Sequence, residues 1–453
     1  MPLDAGPVMV FLKFDLPNAT TWFYLSLMLA VGLFFKFNRF FSLRNWDILT
    51  VYLLVPGFLF LQQAYRIQPP PATFGNPEAA GLATYGFIWL MAGSLCFFIR
   101  CLLDMTLVSR PAMTPNLNLA GLAWFAGAMF LCMVPVAIRT SESEGTIGRK
   151  TAAMDVLNKA STQTVEQVQQ LTGNGRADDE TTRFWVQRAI ALLAHLAVVT
   201  ALVLIGAIHF GNLTSGMAAG TFYLLLPYTA YHVGQAHHVL PAALLIWAIY
   251  AYRRPWLVGL LLGIAAGTCF FPALTVPVWL SFYRKGGSRR FLTWFAAAAG
   301  VSLGLTALIL WWDGSLSETL KLIFSLSDWQ PWRRSGLPSI WHGMHGAYRL
   351  PVFILYAALV ILTGFWPTPK NLGHVIALSA ALLIGIQFWY ADQGGVYVLW
   401  YLPLLVLLIF RPNLSDRYPP PQPSSPPWLS GLMSRLVDWV VRRIQPPEPA
   451  QTV

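Results

Sequence analysis

Three histidines and a glutamine stand close together in an apolar part of this chain, in the stretch Tyr231-His-Val-Gly-Gln-Ala-His-His-Val-Leu-Pro241. Imidazole and amide groups hydrogen-bond polar substrates, and imidazole also carries protons and binds metals. Gln235, His237 and His238 are therefore candidate substrate-binding residues. A polar turn at the membrane interface is the equally weighted alternative.

A second histidine pair raises the question of a metal. His342 and His345 have helical i, i+3 spacing and could meet the first group, since imidazole is a common ligand for zinc or copper. No acidic partner with a clear spacing accompanies them. We therefore expect neither a metal nor another cofactor, with a divalent metal as the alternative.

Carboxylates and arginines supply the remaining candidates. Four carboxylates are expected to face outward, those of Glu78, Asp313, Asp328 and Asp392, and none stands out. Glu78 and Asp392 are taken as the candidate general bases, because a carboxylate can accept the proton of a hydroxyl. A guanidinium fork binds two phosphate oxygens at once. The candidate phosphate-binding arginines are Arg333, Arg334 and Arg349. They are expected at the level of the lipid headgroups of a membrane, where they could bind a lipid-linked phosphate or serve as ordinary anchors to lipid.

Composition places these residues in a membrane protein. The chain has 453 residues, of which 56% are hydrophobic and 11% charged, and its mean hydropathy is +0.55. A soluble domain has roughly 25% charged residues. The net charge of +11 is carried mostly by short loops between apolar runs, where Lys and Arg set topology, so nucleic acid is not an expected partner. We predict an all-α polytopic integral membrane protein.

Apolar runs of about 20 residues are long enough to cross a bilayer. The predicted spans are 20–36, 46–65, 82–105, 117–138, 189–210, 213–232, 239–252, 291–312, 350–366, 372–390 and 395–410. The segment 256–283 is interrupted by Gly267 and Pro272 and is flanked by basic residues on both sides. It is predicted to be a broken or re-entrant pair of short helices, which needs a protein-lined cavity at membrane depth.

Basic loops define the predicted topology. The positive-inside tendency puts them in the cytoplasm, which leaves the N-terminus outside and the C-terminus inside, in a bacterial inner (plasma) membrane. The predicted domains are a transmembrane domain over 1–411 with outer loops 139–188 and 313–349, a Pro-rich linker over 412–427, and a cytoplasmic amphipathic helix and tail over 428–453.

The helix that follows the histidine stretch is short. The run Val239–Tyr252 would rise only about 21 Å, less than the roughly 30 Å hydrocarbon core. The histidine stretch should therefore be recessed.

The order of motifs around this stretch resembles the C-type glycosyltransferases, especially glycosyltransferase family 87. The elements are Gly234-Gln235 with His237 where that family has Asn, the repeat Gly259–Gly263, Pro272 and a basic loop at 284–290. The resemblance covers 211–349. It implies transfer of a sugar from a polyprenyl-phosphate donor to a lipid or glycan on the outer face.

A second functional class, that of non-catalytic membrane proteins, is the alternative. The chain could be a non-catalytic membrane protein, either a lipid or solute transporter or a structural subunit, that keeps a glycosyltransferase-like fold. Paired repeats and charged midmembrane residues are typical of transporters, and neither is apparent in the sequence. The partners expected from both hypotheses are membrane lipids, with the lipid-linked sugar added in the first.

Overall fold

The computed structural model describes residues 18–68, 75–107, 113–139, 179–313 and 338–419, and these contain helices and turns but no strand. Within these ranges, six helical segments are long and apolar enough to cross a membrane. They are Leu43–Ile67, Pro77–Thr106, Leu119–Arg139, Phe184–Ile208, Gly346–Phe365 and Leu372–Trp389. The all-helical class is confirmed, and the predicted count of about eleven spans goes beyond these six.

Fifteen α-helices are described. They are α1 Ala19–Phe34, α2 Leu43–Val51, α3 Val55–Ile67, α4 Pro77–Leu103, α5 Leu119–Arg139, α6 Asp179–Ile208, α7 Leu213–Leu225, α8 Pro227–Tyr231, α9 Ala236–Tyr250, α10 Pro255–Thr268, α11 Val276–Phe282, α12 Ser288–Asp313, α13 Leu350–Phe365, α14 Leu372–Trp389 and α15 Leu402–Phe410. Side-chain oxygens cap several of them at the N-terminus and satisfy amides that the helix leaves unpaired. The capping residues include Asn18, Ser42, Asn76, Asn212 and Asn371.

Two predicted spans are shorter than expected because the helix breaks inside them. The span 213–232 divides at Leu226, whose ψ of 136° is extended, because Pro227 disfavours a helical residue before it. The span 395–410 keeps only α15, and the buried residues 390–401 before it run as turns and a short 3₁₀ helix. Irregular backbone at membrane depth is tolerated only where protein or a cavity satisfies it.

The segment 256–283 forms the hairpin that its sequence predicts. It consists of α10, a 3₁₀ turn over Phe271–Thr275, and α11. The Tyr283 hydroxyl donates a hydrogen bond of 2.5 Å to the Tyr252 carbonyl. The chain therefore enters and leaves this hairpin at the same end of the bundle.

Glycines let α10 lie directly on α12. Gly259, Gly263 and Gly267 share one face of α10 because they are four residues apart. A Cβ added at Gly263 would lie 2.5 Å from the Phe295 carbonyl oxygen, and the other two positions are at least as close to α12. The repeat noted in the sequence is therefore a helix-packing surface.

Most of the described basic residues meet at one end of the bundle. Contacts that join these loops include Lys36 Nζ to Asn116 Oδ1 at 2.9 Å and Lys370 Nζ to Ser281 Oγ at 2.8 Å. We call this the basic end, and it comprises 36–45, 113–118, 251–254, 283–290, 366–372 and 411–419. The grouping agrees with the predicted sidedness of the loops.

A four-residue charge network lies at the basic end. Arg100 donates to both Asp47 oxygens at 2.6 and 2.8 Å and to Asp104 Oδ1 at 3.0 Å. Arg411 also donates to Asp104, through Nε at 3.0 Å and through Nη2. Arg100 and Asp104 are four residues apart, a spacing that favours an ion pair, whereas the other two partners come from distant segments.

Candidate functional site

Three helix breaks meet in the interior. They are the turn between α8 and α9, the tip of the hairpin, and the irregular segment before α15. Phe271 at the tip contacts Trp400 with ring centroids 4.0 Å apart, and His238 stacks on Tyr397 at 5.4 Å. We call this the convergence site, and it comprises 232–238, 269–271 and 390–401.

The convergence site is recessed, as the short run Val239–Tyr252 predicts. The His232 ring lies 5.8 Å from the ring of Phe58, which is nine residues before Ile67 at the end of α3. Gly395 packs on Leu90, thirteen residues after Pro77 at the start of α4. At 1.5 Å per residue these positions are about 13 to 20 Å below the helix ends opposite the basic end.

Histidine rings stack at the centre of the site. The rings of His232 and His238 are stacked, with centroids 4.2 Å apart and an angle of 29° between their planes. The rings of His237 and His238 have centroids 4.4 Å apart and planes tilted by 44°. Stacked rings present their faces to each other rather than directing nitrogens at a shared ion. In the described ranges no group of three His, Cys, Asp or Glu residues is placed to hold a metal, and His342 and His345 are exposed.

Buried amides supply the hydrogen-bonding capacity. Gln235 Oε1 pairs with His232 Nδ1 at 2.8 Å, and Gln387 Oε1 accepts from the Gly395 amide at 2.8 Å. The Nε2 atoms of both glutamines are buried and find no acceptor in the described protein. A buried donor without an acceptor costs about 1 to 3 kcal/mol, so these two groups suit a ligand that carries hydroxyl or other oxygens.

The loop Ala391-Asp-Gln-Gly-Gly395 brings a carboxylate into the site. Asp392 is buried at 2% exposure, and its carbonyl accepts from the Tyr397 hydroxyl at 3.3 Å. Gln393 has a φ of +55°, a conformation that non-glycine residues rarely adopt and that often marks functional loops. Its Nε2 donates to the Tyr65 hydroxyl at 3.1 Å, which ties the loop to α3.

Of the residues predicted from the sequence, Gln235, His237 and His238 lie in one turn, and Asp392 is joined to it through Tyr397, which donates to the Asp392 carbonyl and stacks on His238. Glu78 is exposed in the first turn of α4, about 18 Å along the helix axis from Leu90, which packs on the loop.

The predicted arginines are placed differently. Arg349 lies near the start of the apolar segment Gly346–Phe365 and is buried in the protein at 2% exposure, and its Nη1 donates to the Trp389 carbonyl at 3.2 Å. This bond holds the end of α14 immediately before residues 390–401. Arg333 and Arg334 lie outside the described residues.

Arg188 is a residue of the site that was not predicted from the sequence. It is 5% exposed and packs so closely on Gly234 that a Cβ there would overlap the guanidinium group. A charge in the apolar run Phe184–Ile208 was the signal for it, because charged residues inside such helices usually face a functional interior. Tyr397 and Trp400, which stack at 4.1 Å, were also missed because aromatic residues are common in any apolar segment.

Comparison with known proteins provides no relative: no family model matches the chain, and no curated protein or solved structure is significantly similar to it.

Proposed function

We propose that this protein is a membrane-embedded glycosyltransferase that moves a sugar from a polyprenyl-phosphate donor to a lipid or glycan acceptor. The observation that carries the proposal is the meeting of three helix breaks around a buried carboxylate, buried amides and a buried guanidinium. Helices interrupted at membrane depth are typical of sites for polar groups within membranes. Polar residues inside apolar bundles are also costly, so they usually serve function.

Asp392 is the proposed base and Gln235 the proposed ligand for sugar hydroxyls, with His237 and His238 lining the site. The acceptor hydroxyl gives its proton to the carboxylate as its oxygen bonds to C1 of the sugar, and the bond from C1 to the phosphate oxygen breaks. Polyprenyl phosphate leaves with the bonding electrons. Glu78 is the alternative base.

Cations would stabilise the charge on the departing phosphate. Arg333 and Arg334 are proposed to bind it, as the resemblance implies. Arg188 is a further candidate, because it packs against the Gln235 turn, whereas the buried Arg349 positions the loop that carries Asp392.

The proposed topology has about eleven full spans plus the broken pair 256–283. The basic end faces the cytoplasm of a bacterium and the convergence site lies toward the other side, which leaves the N-terminus outside and the C-terminus inside. The grouping of the basic loops supports this orientation.

The test is sugar transfer by the purified chain in lipid nanodiscs, supplied with radiolabelled polyprenyl-phosphate sugars and an acceptor lipid extract. We expect Asp392→Asn and Gln235→Ala to abolish transfer, while Asp416→Asn, at an exposed carboxylate of the basic end, leaves it unchanged. Loss in Glu78→Gln instead of Asp392→Asn would reassign the base. Absence of transfer with every common sugar, or activity insensitive to both Arg333→Ala and Arg334→Ala, would refute the proposed donor site.

The closed state of the site favours a second candidate. Gln235, His237, His238 and Asp392 are each 8% exposed or less. A subunit that has lost catalysis would keep such a site closed. Purification with a stoichiometric protein partner and no bound lipid would support that alternative, whereas a bound polyprenyl lipid would support the enzyme.

A further inference from the structure

A cavity of about 320 Å³ lies at the basic end, far from the convergence site. It is bounded by the start of α2, the loop that precedes it, residues 113–114 and the end of α15. Three cationic side chains line it, those of Lys36, Arg39 and Arg44. The one acid in this lining, Asp47, already has both oxygens bound by Arg100. The lining therefore has excess positive charge.

One buried asparagine holds the cationic loop in shape. Asn45 is 1% exposed, and its Nδ2 donates to the carbonyls of Lys36, Arg39 and Phe40 at 3.0, 3.0 and 3.1 Å. Its Oδ1 accepts from the Lys36 amide at 3.0 Å. A loop fixed in this way does not have to be ordered when a ligand binds, which favours affinity.

The cations retain donors for a ligand. Lys36 Nζ makes one bond to Asn116 Oδ1, and an ammonium group has three donors. Among the described residues, Arg44 bonds only through Nη2, to the Phe34 and Thr114 carbonyls. Arg39 is exposed and its guanidinium has no hydrogen bond to a described residue. Guanidinium and ammonium donors of this kind recognise phosphate.

Exposed aromatic side chains lie beside the cavity. Phe37, Phe40 and Phe41 are 68%, 56% and 80% exposed, and Trp46 in the first turns of α2 is 53% exposed. The rings of Phe37 and Phe40 both contact Phe35, at 5.2 and 5.3 Å, so they form one patch. A basic cavity beside an exposed apolar patch matches a molecule with an anionic head and an apolar tail.

We infer that this cavity binds the phosphate of an anionic phospholipid in the leaflet at the basic end, with the acyl chains along the phenylalanine patch. Juxtamembrane basic clusters attract anionic lipids. Inorganic phosphate has the same anionic group as the lipid head, but the phenylalanine patch would not increase its affinity because it has no acyl chains. The inference does not depend on the proposed transferase activity, because it concerns the opposite end of the bundle.

The test is native mass spectrometry of the full chain with dioctanoyl phosphatidic acid, with dioctanoyl phosphatidylcholine and inorganic phosphate as comparisons. We expect phosphatidic acid to bind most tightly. Arg39→Gln should weaken its binding roughly tenfold, as expected for a lost hydrogen bond to a charged group. The matched control is Arg284→Gln, because Arg284 is also an exposed arginine of the basic end but lies outside the cavity.

A second variant distinguishes lipid binding from the binding of inorganic phosphate. Phe41→Ser should weaken phosphatidic acid binding and leave inorganic phosphate binding unchanged. Equal effects of Arg39→Gln and Arg284→Gln would show nonspecific attraction and overturn the site. Inorganic phosphate binding as tightly as phosphatidic acid, or a Phe41→Ser variant that binds the lipid normally, would overturn the lipid assignment.

Discussion

Replacing Asp104 by asparagine keeps the size of the side chain but removes the charge that Arg100 and Arg411 share. Afterwards Arg100 still has both oxygens of Asp47, at 2.6 and 2.8 Å. Arg411, whose side chain is 8% exposed, has no second carboxylate among the described residues. Burial and the charge of Arg100 lower the pKa of Arg411 in the native protein to about 10. An arginine side chain stays protonated at neutral pH in either protein. The variant therefore contains a buried and unpaired cation.

Removing one partner of a buried ion pair typically costs about 3 to 5 kcal/mol. We expect Asp104→Asn to lower the free energy of unfolding by that amount, measured by denaturant titration in detergent with tryptophan fluorescence. The control is Asp416→Asn at an exposed carboxylate, which should change the free energy by no more than about 0.5 kcal/mol. A combined Asp104→Asn and Arg411→Gln variant should cost less than the sum of the two, because neither charge is left alone. Additive costs, or a loss below about 1 kcal/mol for Asp104→Asn, would refute this account of the network.

Three further changes test the packing by the same unfolding titration. Gly263→Ala should lower the free energy of unfolding by about 1 to 3 kcal/mol because its Cβ forces α10 and α12 apart. Gly300→Ala, at a position with open space around it, should raise that free energy by about 0.5 to 1 kcal/mol. Equal effects of the two substitutions would contradict the close approach of α10 and α12. Tyr283→Phe should cost about 1 to 3 kcal/mol by leaving the buried Tyr252 carbonyl unpaired, and an unchanged midpoint would show that the hairpin does not need this bond. Burial lowers the pKa of Lys370 to about 8 from 10.5, so between those pH values the unfolded chain binds the extra proton and the free energy of unfolding should rise with pH. Lys370→Met should flatten that rise, and an unaltered slope would assign it to another group.

Helix breaks were predictable where proline or glycine causes them. Pro272 and Gly267 in a run too long for one span indicated the hairpin, because proline removes a helix hydrogen bond. Proline also causes the break at Leu226, but the residues on both sides of it are apolar enough overall to predict a single span. The irregular segment 390–401 was harder to predict. Residues 396–401 are apolar and include no proline or glycine, and they contact the hairpin tip and the histidine turn.

The candidate site was predictable in part for a similar reason. Gln235, His238 and Asp392 stood out because polar residues are rare in apolar runs. Their meeting joins segments more than 150 residues apart, and no local pattern records such a contact. The burial of Arg349 also depends on a distant segment, because its guanidinium donates to the carbonyl at the end of α14, forty residues away.

The sequence alone determined the helical class, the gathering of basic loops at one end and the recess of the histidine turn. Those properties follow from hydropathy, loop charge and helix length, which act along the chain. The tertiary structure decided which helix breaks meet, that Arg188 lies on Gly234, and that Asp104 is shared by two arginines. Such contacts depend on how close two backbones can approach and on which distant charge reaches a buried partner, and these are properties of the packed bundle.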